Sequence, residues 1–145
     1  MSTLSLQRSK KLLQDQGFKV AIVEHWNMYA HVRQDLYGLA DLVAVRGDRS
    51  GTTYVQCCGE DVHSHIEKMV MNTVLPEILK AGNPVFLWAW RKRGERGKRK
   101  LWHMKEYELV LKDGLPIAQE TKHEEETNDV EGTEGNTGDD SEGAD

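Results

Sequence analysis

The stretch GLADLVAVRGDRSGTTYVQCC, residues 38–58, decides the fold of this chain. Residues 39–46 form an almost continuous apolar run, and residues 52–58 are rich in Thr, Tyr and Val, so both segments favour β-strands. Residues 47–51 lie between them and contain two glycines, which supply the backbone angles of a tight turn. The stretch therefore predicts a β-hairpin.

Two polar residues, Asp41 and Gln56, interrupt the apolar strands of this hairpin. A carboxylate among apolar residues is costly unless it meets water, a metal ion or a hydrogen-bond donor. Antiparallel pairing would bring Asp41 and Gln56 to the same end of the hairpin, and Cys58 would face the same side as Gln56. In the alternative interpretation, Asp41 bonds a turn and Gln56 is a satisfied buried amide.

A carboxylate and an amide oxygen, completed by waters, make a reasonable Mg²⁺ site, because this ion prefers hard oxygen ligands and retains several waters. Such an ion could activate water and stabilise charge on a phosphodiester. We therefore predict that Asp41 and Gln56 bind Mg²⁺, with Mn²⁺ as a possible substitute.

The segments before the hairpin predict one helix and one strand. Residues 5–16 have an apolar stripe and are followed by Gly17, which is typical of a helix end. Residues 18–24 are rich in Val and Ile and predict a strand. Residues 25–36 have no clean periodicity, so we expect a loop there.

The segments after the hairpin predict a long helix and further strands. From residue 59 or 61 to residue 81, apolar residues recur at three- and four-residue steps, with Pro76 expected to kink or split the helix and Gly82 to end it. Strands are expected at residues 84–90 and 100–104, and a final strand or short helix at residues 105–111. The order α-β-β-β-α-β-β predicts an α/β fold, a small mixed β-sheet flanked by helices.

Charge divides the chain into two parts. Residues 1–118 hold 18 of the 19 Lys and Arg but 13 of the 24 acids, a formal charge of +5, and are expected to form one domain. Residues 119–145 hold one Lys and 11 acids, a charge of −10, with few apolar residues, so we expect a disordered acidic tail. We also expect this tail to compete with nucleic acid for the basic part of the chain.

Targeting signals and cysteine use indicate the cellular setting. The sequence shows no secretory segment and no apolar run of membrane-spanning length, and its two cysteines are adjacent. We therefore expect a soluble protein that is not secreted and has no membrane partner, cytoplasmic or nucleoid-associated. Zinc is disfavoured, because neither the adjacent cysteines nor His63 and His65 have the usual ligand spacing.

Residues 91–100, here called the basic wing, combine seven basic residues with one acid. Such groups neutralise phosphates, and nearby tryptophans can stack on unpaired bases. We favour core packing for at least two of Trp88, Trp90 and Trp102. The alternatives for the wing itself are a plain solvated turn or a nuclear-localisation signal. The residues predicted to bind DNA are Arg91, Lys92, Arg93, Arg96, Lys98, Arg99 and Lys100.

Residues 38–42, GLADL, and 55–58, VQCC, resemble the motifs of the PD-(D/E)XK nuclease superfamily. In that family a glycine-containing turn leads through an Asp into an apolar strand, and the hairpin ends in Glu-x-Lys. Mrr-type restriction endonucleases have Gln-x-Lys, often with Cys in the middle. Gln56 and Cys57 fit that variant, whereas Cys58 occupies the position of the lysine. The order of elements over about the first 90 residues also resembles the family core.

The resemblance implies a restriction-endonuclease-like fold and a Mg²⁺-dependent DNA endonuclease with Asp41 and Gln56 as catalytic residues. The family lysine orients or activates water, and Lys68 on the next helix is the candidate for a relocated charge, the favoured alternative being a solvated helix residue. Asp35 is either a second acidic ligand or, as we favour, a turn residue. The alternative function is non-catalytic nucleic-acid binding on the same fold.

The small size suggests an enzyme acting on branched DNA, by analogy with the Holliday-junction resolvases of this superfamily. Those enzymes are compact homodimers, so a homodimer is expected. The resemblance also suits a phage or prokaryotic protein.

Overall fold

A computed structural model describes residues 3–94 and 99–121 of the chain. In chain order, its elements are α1 Thr3–Asp15, β1 Lys19–Ile22, β2 His25–Asn27, β3 Val32–Gln34, β4 Leu42–Val45, β5 Thr53–Cys58, α2 Val62–Val70, α3 Leu75–Lys80, β6 Val85–Arg93, β7 Leu101–Lys112 and β8 Leu115–Glu120. No helix in these two ranges is both long and apolar enough to cross a membrane.

Most of the strands form one mixed sheet in the order β1-β4-β5-β6-β7-β8. Its β5–β6 pair is parallel, with α2 and α3 in the connection, and its other neighbours are antiparallel. Strands β2 and β3 pair separately as a small antiparallel hairpin. The predicted α/β class, a small mixed sheet with helices, is confirmed.

The core has two parts that meet across β5. On one side, Leu6 and Leu13 of α1 cluster with Cys57 and other buried residues of the central strands. On the other, Met69 of α2 and residues of α3 cluster with Cys58 and residues of β6. The adjacent cysteines therefore point to opposite faces of the strand, as the alternation of a β-strand requires.

The β4–β5 hairpin has the predicted position. Leu42 pairs with Val55, and the turn between the strands includes Gly51 at φ +74°. A Cβ at this glycine would lie 2.6 Å from the carbonyl oxygen of Gly82, so a larger residue would meet backbone. The turn is therefore held against the end of α3 by a close backbone approach that glycine permits.

The helix predicted up to residue 81 is divided into α2 and α3, which agrees with the expectation that Pro76 would kink or split it. Pro76 lies in the first turn of α3, where a missing backbone N–H breaks no helical bond. The Asn72 side chain lies just before α3, and its Oδ1 accepts a 2.8 Å bond from the Val74 backbone N–H. Gly82, at φ +89°, follows the end of α3 as expected.

The loop expected at residues 25–36 is wrong, because β2 and β3 form a hairpin there. Trp26 pairs with Arg33, and Asn27 Oδ1 accepts the backbone N–H groups of Tyr29 and Ala30 at 2.9 and 3.0 Å. Strands of three residues are too short to show a period of two in sequence. A side-chain acceptor within the connecting turn therefore stabilises a structure that periodicity could not predict.

The two elements predicted at residues 100–104 and 105–111 form a single strand, and a further strand that was not predicted follows it. Residues 101–112 form one strand, β7, and β8 runs to Glu120, two residues beyond residue 118. The two strands are joined by Asp113 and Gly114, both with positive φ, the dipeptide expected in a tight hairpin turn. The remaining residues of the predicted acidic tail, 122–145, lie outside the described ranges.

Candidate active site at the open end of the β4–β5 hairpin

A tight turn places Asp41 immediately before β4, whereas the strand predicted at residues 39–46 included it. Tyr37 and Gly38 both have positive φ, and the Leu39 N–H donates to the Leu36 carbonyl oxygen at 2.9 Å. Asn72 Nδ2 donates to the Tyr37 carbonyl oxygen at 2.9 Å, which ties the turn to the segment after α2. The turn directs Leu39 into the core and fixes the backbone that leads to Asp41.

Asp41 is held between two strands by three hydrogen bonds. Its backbone N–H donates to the Val55 carbonyl oxygen, and its own carbonyl oxygen accepts the Val23 N–H, both at 2.9 Å. Its Oδ2 accepts the Cys57 N–H at 3.0 Å. The residue is 2% exposed, and none of the hydrogen bonds in the described ranges engages Oδ1. One carboxylate oxygen therefore remains available to a ligand.

Gln56 lies on β5 next to this carboxylate, as the sequence predicted. Because Leu42 pairs with Val55, the residues that precede and follow them, Asp41 and Gln56, lie side by side. Gln56 is buried, and its Nε2 donates to Asp35 Oδ2 at 3.3 Å. The Asp35 carboxylate therefore faces the site, which favours the ligand interpretation over a role in the turn alone.

Glu24 is a residue of this site that sequence reasoning missed. It is half-buried just after β1, beside Val23, whose N–H bonds the Asp41 carbonyl oxygen. Its position as the last residue of the predicted strand 18–24 was a signal, but its relation to Asp41 depends on the β1–β4 pairing. Glu24 and Asp35 thus approach Asp41 from two different segments.

Asp41 is a buried acid whose surroundings raise its pKa. Burial is the main cause that raises its pKa from 3.8 to about 7, and the negative charges of Glu24 and Asp35 raise it further. The hydrogen bond from the Cys57 N–H lowers the pKa, but by less. A carboxyl in this state gains from binding either a proton or a cation, which is a common property of functional sites.

Asp41 and Gln56 fit an ion that keeps several of its waters better than an ion that is coordinated by protein atoms alone. Asp41 offers a free carboxylate oxygen, and the Gln56 amide has an acceptor oxygen besides the nitrogen that holds Asp35. Within residues 3–94 and 99–121, no three His, Cys, Asp or Glu side chains are grouped closely enough to hold a metal ion by themselves. Mg²⁺, which keeps several waters, suits such a partial ligand set.

Cys58 does not supply the positive charge that a lysine at this position would give. Its side chain is buried in the core with Met69 and Leu87, and its Sγ donates to the Gly59 carbonyl oxygen at 3.6 Å. Burial raises the pKa of this thiol to about 11, so it is neutral at physiological pH. It therefore supplies neither a positive charge nor a thiolate.

Lys68 is exposed in the last turn of α2. Among the described residues, no hydrogen bond or ion pair joins it to Asp41 or Gln56. The side-chain charges that shift the Asp41 pKa are those of Glu24 and Asp35. The structure therefore brings Asp41, Gln56 and Asp35 together, with the charge of Glu24 acting on Asp41, and no hydrogen bond or ion pair of the described residues joins Lys68 to them.

The basic wing follows β6 and precedes β7, and it lies at the end of the sheet where the open end of the β4–β5 hairpin also lies. Arg91, Lys92 and Arg93 end β6, Arg99 and Lys100 precede β7, and Arg96 and Lys98 lie outside the described residues. A Cβ on Gly94 would lie 2.7 Å from the Arg99 carbonyl oxygen, so the two sides of the wing approach closely. Arg93 pairs with Leu101, so the antiparallel pairing of β6 and β7 continues up to the wing.

The tryptophans divide as expected between core and wing. Trp88 and Trp90 are buried, and their Nε1 atoms donate at 2.8 Å to Glu106 Oε2 and Ser9 Oγ. Trp102 is half-buried, with the Arg8 guanidinium 3.9 Å and the Lys92 ammonium 5.7 Å from its ring centre. Two tryptophans thus serve packing, and the third lies among cations at the base of the wing.

Comparisons with protein-family models, with curated proteins and with solved structures find no match to this chain.

Proposed function

We propose that the protein is a Mg²⁺-dependent DNA endonuclease whose metal is held by Asp41 and Gln56. The observation that supports this most is that the site and the basic wing lie at the same end of the sheet. Gln56 pairs with Leu87, and Arg91 follows four residues later on β6, about 13 Å further along at about 3.3 Å per residue. A phosphate backbone bound to the wing would therefore pass close to the carboxylates.

The order of elements supports a nuclease of the PD-(D/E)XK superfamily. α1, β1, β4, β5, the α2–α3 pair and β6 follow the order of the family core, and Asp41 and Gln56 occupy its motif positions. Branched DNA as substrate, a homodimer and association with the nucleoid belong to the same proposal. Cleavage of four-way junctions tests the substrate, and light scattering tests the homodimer.

The chemistry proposed here divides between the ion and the protein. A bound Mg²⁺ would activate water and offset charge on the phosphodiester. Asp41 and Gln56 would bind and orient the ion. Because Cys58 carries no charge, the proton of the attacking water would be accepted by Glu24 or Asp35, the carboxylates whose charges act on Asp41.

The second candidate function is nucleic-acid binding without catalysis. It is favoured by the buried, neutral Cys58 thiol and by the exposed position of Lys68. In this case the acids of the site would not be needed for affinity, and the basic wing would carry the binding.

Cleavage of linear, single-stranded and four-way DNA with and without Mg²⁺ or Mn²⁺ separates the two functions. The test variant is Asp41→Asn, which keeps an acceptor for the Cys57 N–H, and the control is Asp48→Asn in the exposed β4–β5 turn. Metal-dependent cleavage by the wild type and Asp48→Asn, reduced about 100-fold or more in Asp41→Asn, is the expected result. Binding without cleavage in all three proteins would assign the second function.

A further inference from the structure

The β2–β3 hairpin, residues 25–34, is inserted between two acids of the candidate site. It begins directly after Glu24 and ends directly before Asp35. At one end, the Val23 N–H, next to Glu24, donates to the Asp41 carbonyl oxygen at 2.9 Å, and at the other end Asp35 Oδ2 accepts a 3.3 Å bond from Gln56, so both ends of the hairpin are held beside the proposed metal site. Any DNA strand bound at Asp41 would therefore meet this hairpin.

The hairpin exposes large side chains instead of burying them. Tyr29 is 98%, Met28 75% and Trp26 52% exposed, and Val32 is also exposed. In the described part of the chain, β2 and β3 pack extensively on each other, and neither packs extensively on another strand or helix. Clustered exposure of large apolar groups marks an interaction surface.

The hairpin is nevertheless ordered by its own polar contacts. Asn27 caps the turn through its Oδ1, and its Nδ2 donates to Gln34 Oε1 at 3.0 Å. The Trp26 ring meets the His31 ring edge-on, with centres 6.4 Å apart. These contacts hold the indole in place before a ligand arrives, which lowers the entropy lost on binding.

The charge of the hairpin favours nucleic acid over a basic or neutral partner. Residues 25–34 contain Arg33, His25 and His31 and no Asp or Glu. Arg33 is the cross-strand partner of Trp26, so a cation lies next to the exposed indole. Exposed aromatic rings beside basic side chains are the combination that binds unpaired bases and their phosphates.

We infer that the β2–β3 hairpin is a stacking platform for unpaired bases, through Trp26 and Tyr29. This inference rests on the proposed function and deepens it, since it names the substrate as DNA with single-stranded or splayed bases near the cleaved bond. A second copy of the chain is the competing occupant of the surface.

The test is the affinity of the Trp26→Ala/Tyr29→Ala double variant for a labelled single-stranded oligonucleotide and for a blunt duplex. Anisotropy is measured in EDTA, so that binding is read without cleavage. We expect the double variant to bind the single strand at least about ten-fold more weakly, with a much smaller change for the duplex, because a base stacked on an aromatic ring contributes about 1–3 kcal/mol. Quenching of a 2-aminopurine base should be lost in parallel.

The matched control is Leu115→Ala, an exposed apolar residue at the start of β8. It should bind both oligonucleotides as the wild type does, and circular dichroism should show all variants folded. Equal loss of affinity for strand and duplex would overturn the platform, as would an unchanged single-strand affinity. A change of oligomeric state alone would assign the surface to a second copy.

The same samples, tested for cleavage in Mg²⁺, separate the two proposals. Cleavage by the wild type together with unchanged single-strand affinity of the double variant overturns the platform and leaves the nuclease intact. Hairpin-dependent binding by a wild type that cleaves nothing supports the platform and overturns the nuclease.

Discussion

The two ends of the β4–β5 hairpin hold the same side chain in opposite electrostatic states. At the turn end, Asp48 accepts a 2.6 Å bond from Arg46 Nε, which lowers its pKa, and the side chain is exposed. At the open end, Asp41 is buried beside Glu24 and Asp35, and its pKa is raised to about 7. The charge of Asp48 is offset by Arg46, whereas the buried Asp41 gains from binding a proton or a cation.

The largest effect expected from this difference is on the stability of the fold between pH 4 and pH 8. The Asp41 pKa is higher in the folded protein than its ordinary 3.8, so the folded state binds more protons between pH 4 and pH 7. The stability that Asp41 contributes is therefore present below pH 4 and lost as the pH rises through 7. Relative to Asp41→Asn, the wild type should lose up to about 4 kcal/mol between pH 4 and pH 8.

Urea unfolding of both proteins across this pH range measures the difference. Other titrating groups are common to both chains, so the change in the difference with pH reports on Asp41. Parallel stability curves would show that Asp41 is ionised without cost, and would remove the electrostatic contrast between the two ends.

The second prediction concerns the backbone of the turn end. Gly51→Ala should destabilise the protein by about 2 kcal/mol or more, because alanine is strained at positive φ and its Cβ would meet the Gly82 carbonyl oxygen. Gly47→Ala is the control in the same turn, since its Cβ would have no neighbour within 4 Å. Similar unfolding free energies for the two variants would contradict the close approach between the turn and α3.

The hairpin itself could be predicted from sequence because its determinants are local. Residues 47–51 identify the turn, and the spacing from that turn brings Asp41 beside Gln56. Pro76 likewise indicated where the long helix divides. In each case, residues close in sequence determine the structure.

The rest of the site depends on pairings between distant segments. Glu24 approaches Asp41 because β1 pairs with β4, and Asp35 faces Gln56 because the β2–β3 hairpin folds out between them. Neither strand of that hairpin is long enough to show periodicity. Lys68 is near Gln56 in sequence, but on α2 it is Met69 that turns into the core while Lys68 faces solvent.

A third prediction concerns Mg²⁺, which should bind at Asp41 and not at Asp48. At a Mg²⁺ concentration ten times its Kd, binding to the folded state should stabilise the wild type by about 1.4 kcal/mol. The shift in Tm should be larger at pH 8 than at pH 5, because protons compete for Asp41 at the lower pH. Asp48→Asn should keep the shift and Asp41→Asn should lose it.

Sodium chloride at matched ionic strength is the control for screening in this experiment. If it raises Tm as much as Mg²⁺ does, the ion is not bound at Asp41, and the open end of the hairpin is no cation site.

The smallest effect is expected at the turn end, from Asp48→Asn. This carboxylate is exposed, and an exposed ion pair loses in solvation and side-chain entropy most of what it gains by attraction. Its lowered pKa gives a pH dependence of the opposite sign to Asp41, with stability present above the ordinary pKa and lost as the pH falls through the folded value. Because an exposed ion pair contributes little, Tm at pH 7 should be nearly unchanged in Asp48→Asn.

Arg46→Ala should lower Tm by more than Asp48→Asn does. Arg46 also donates from Nη1 to the Gln16 carbonyl oxygen at 2.7 Å, and its guanidinium lies 5.0 Å from the centre of the Phe18 ring. The arginine thus joins the turn to the end of α1 independently of its ion pair. Equal shifts for the two variants would mean that the ion pair, and not this link, stabilises the turn end.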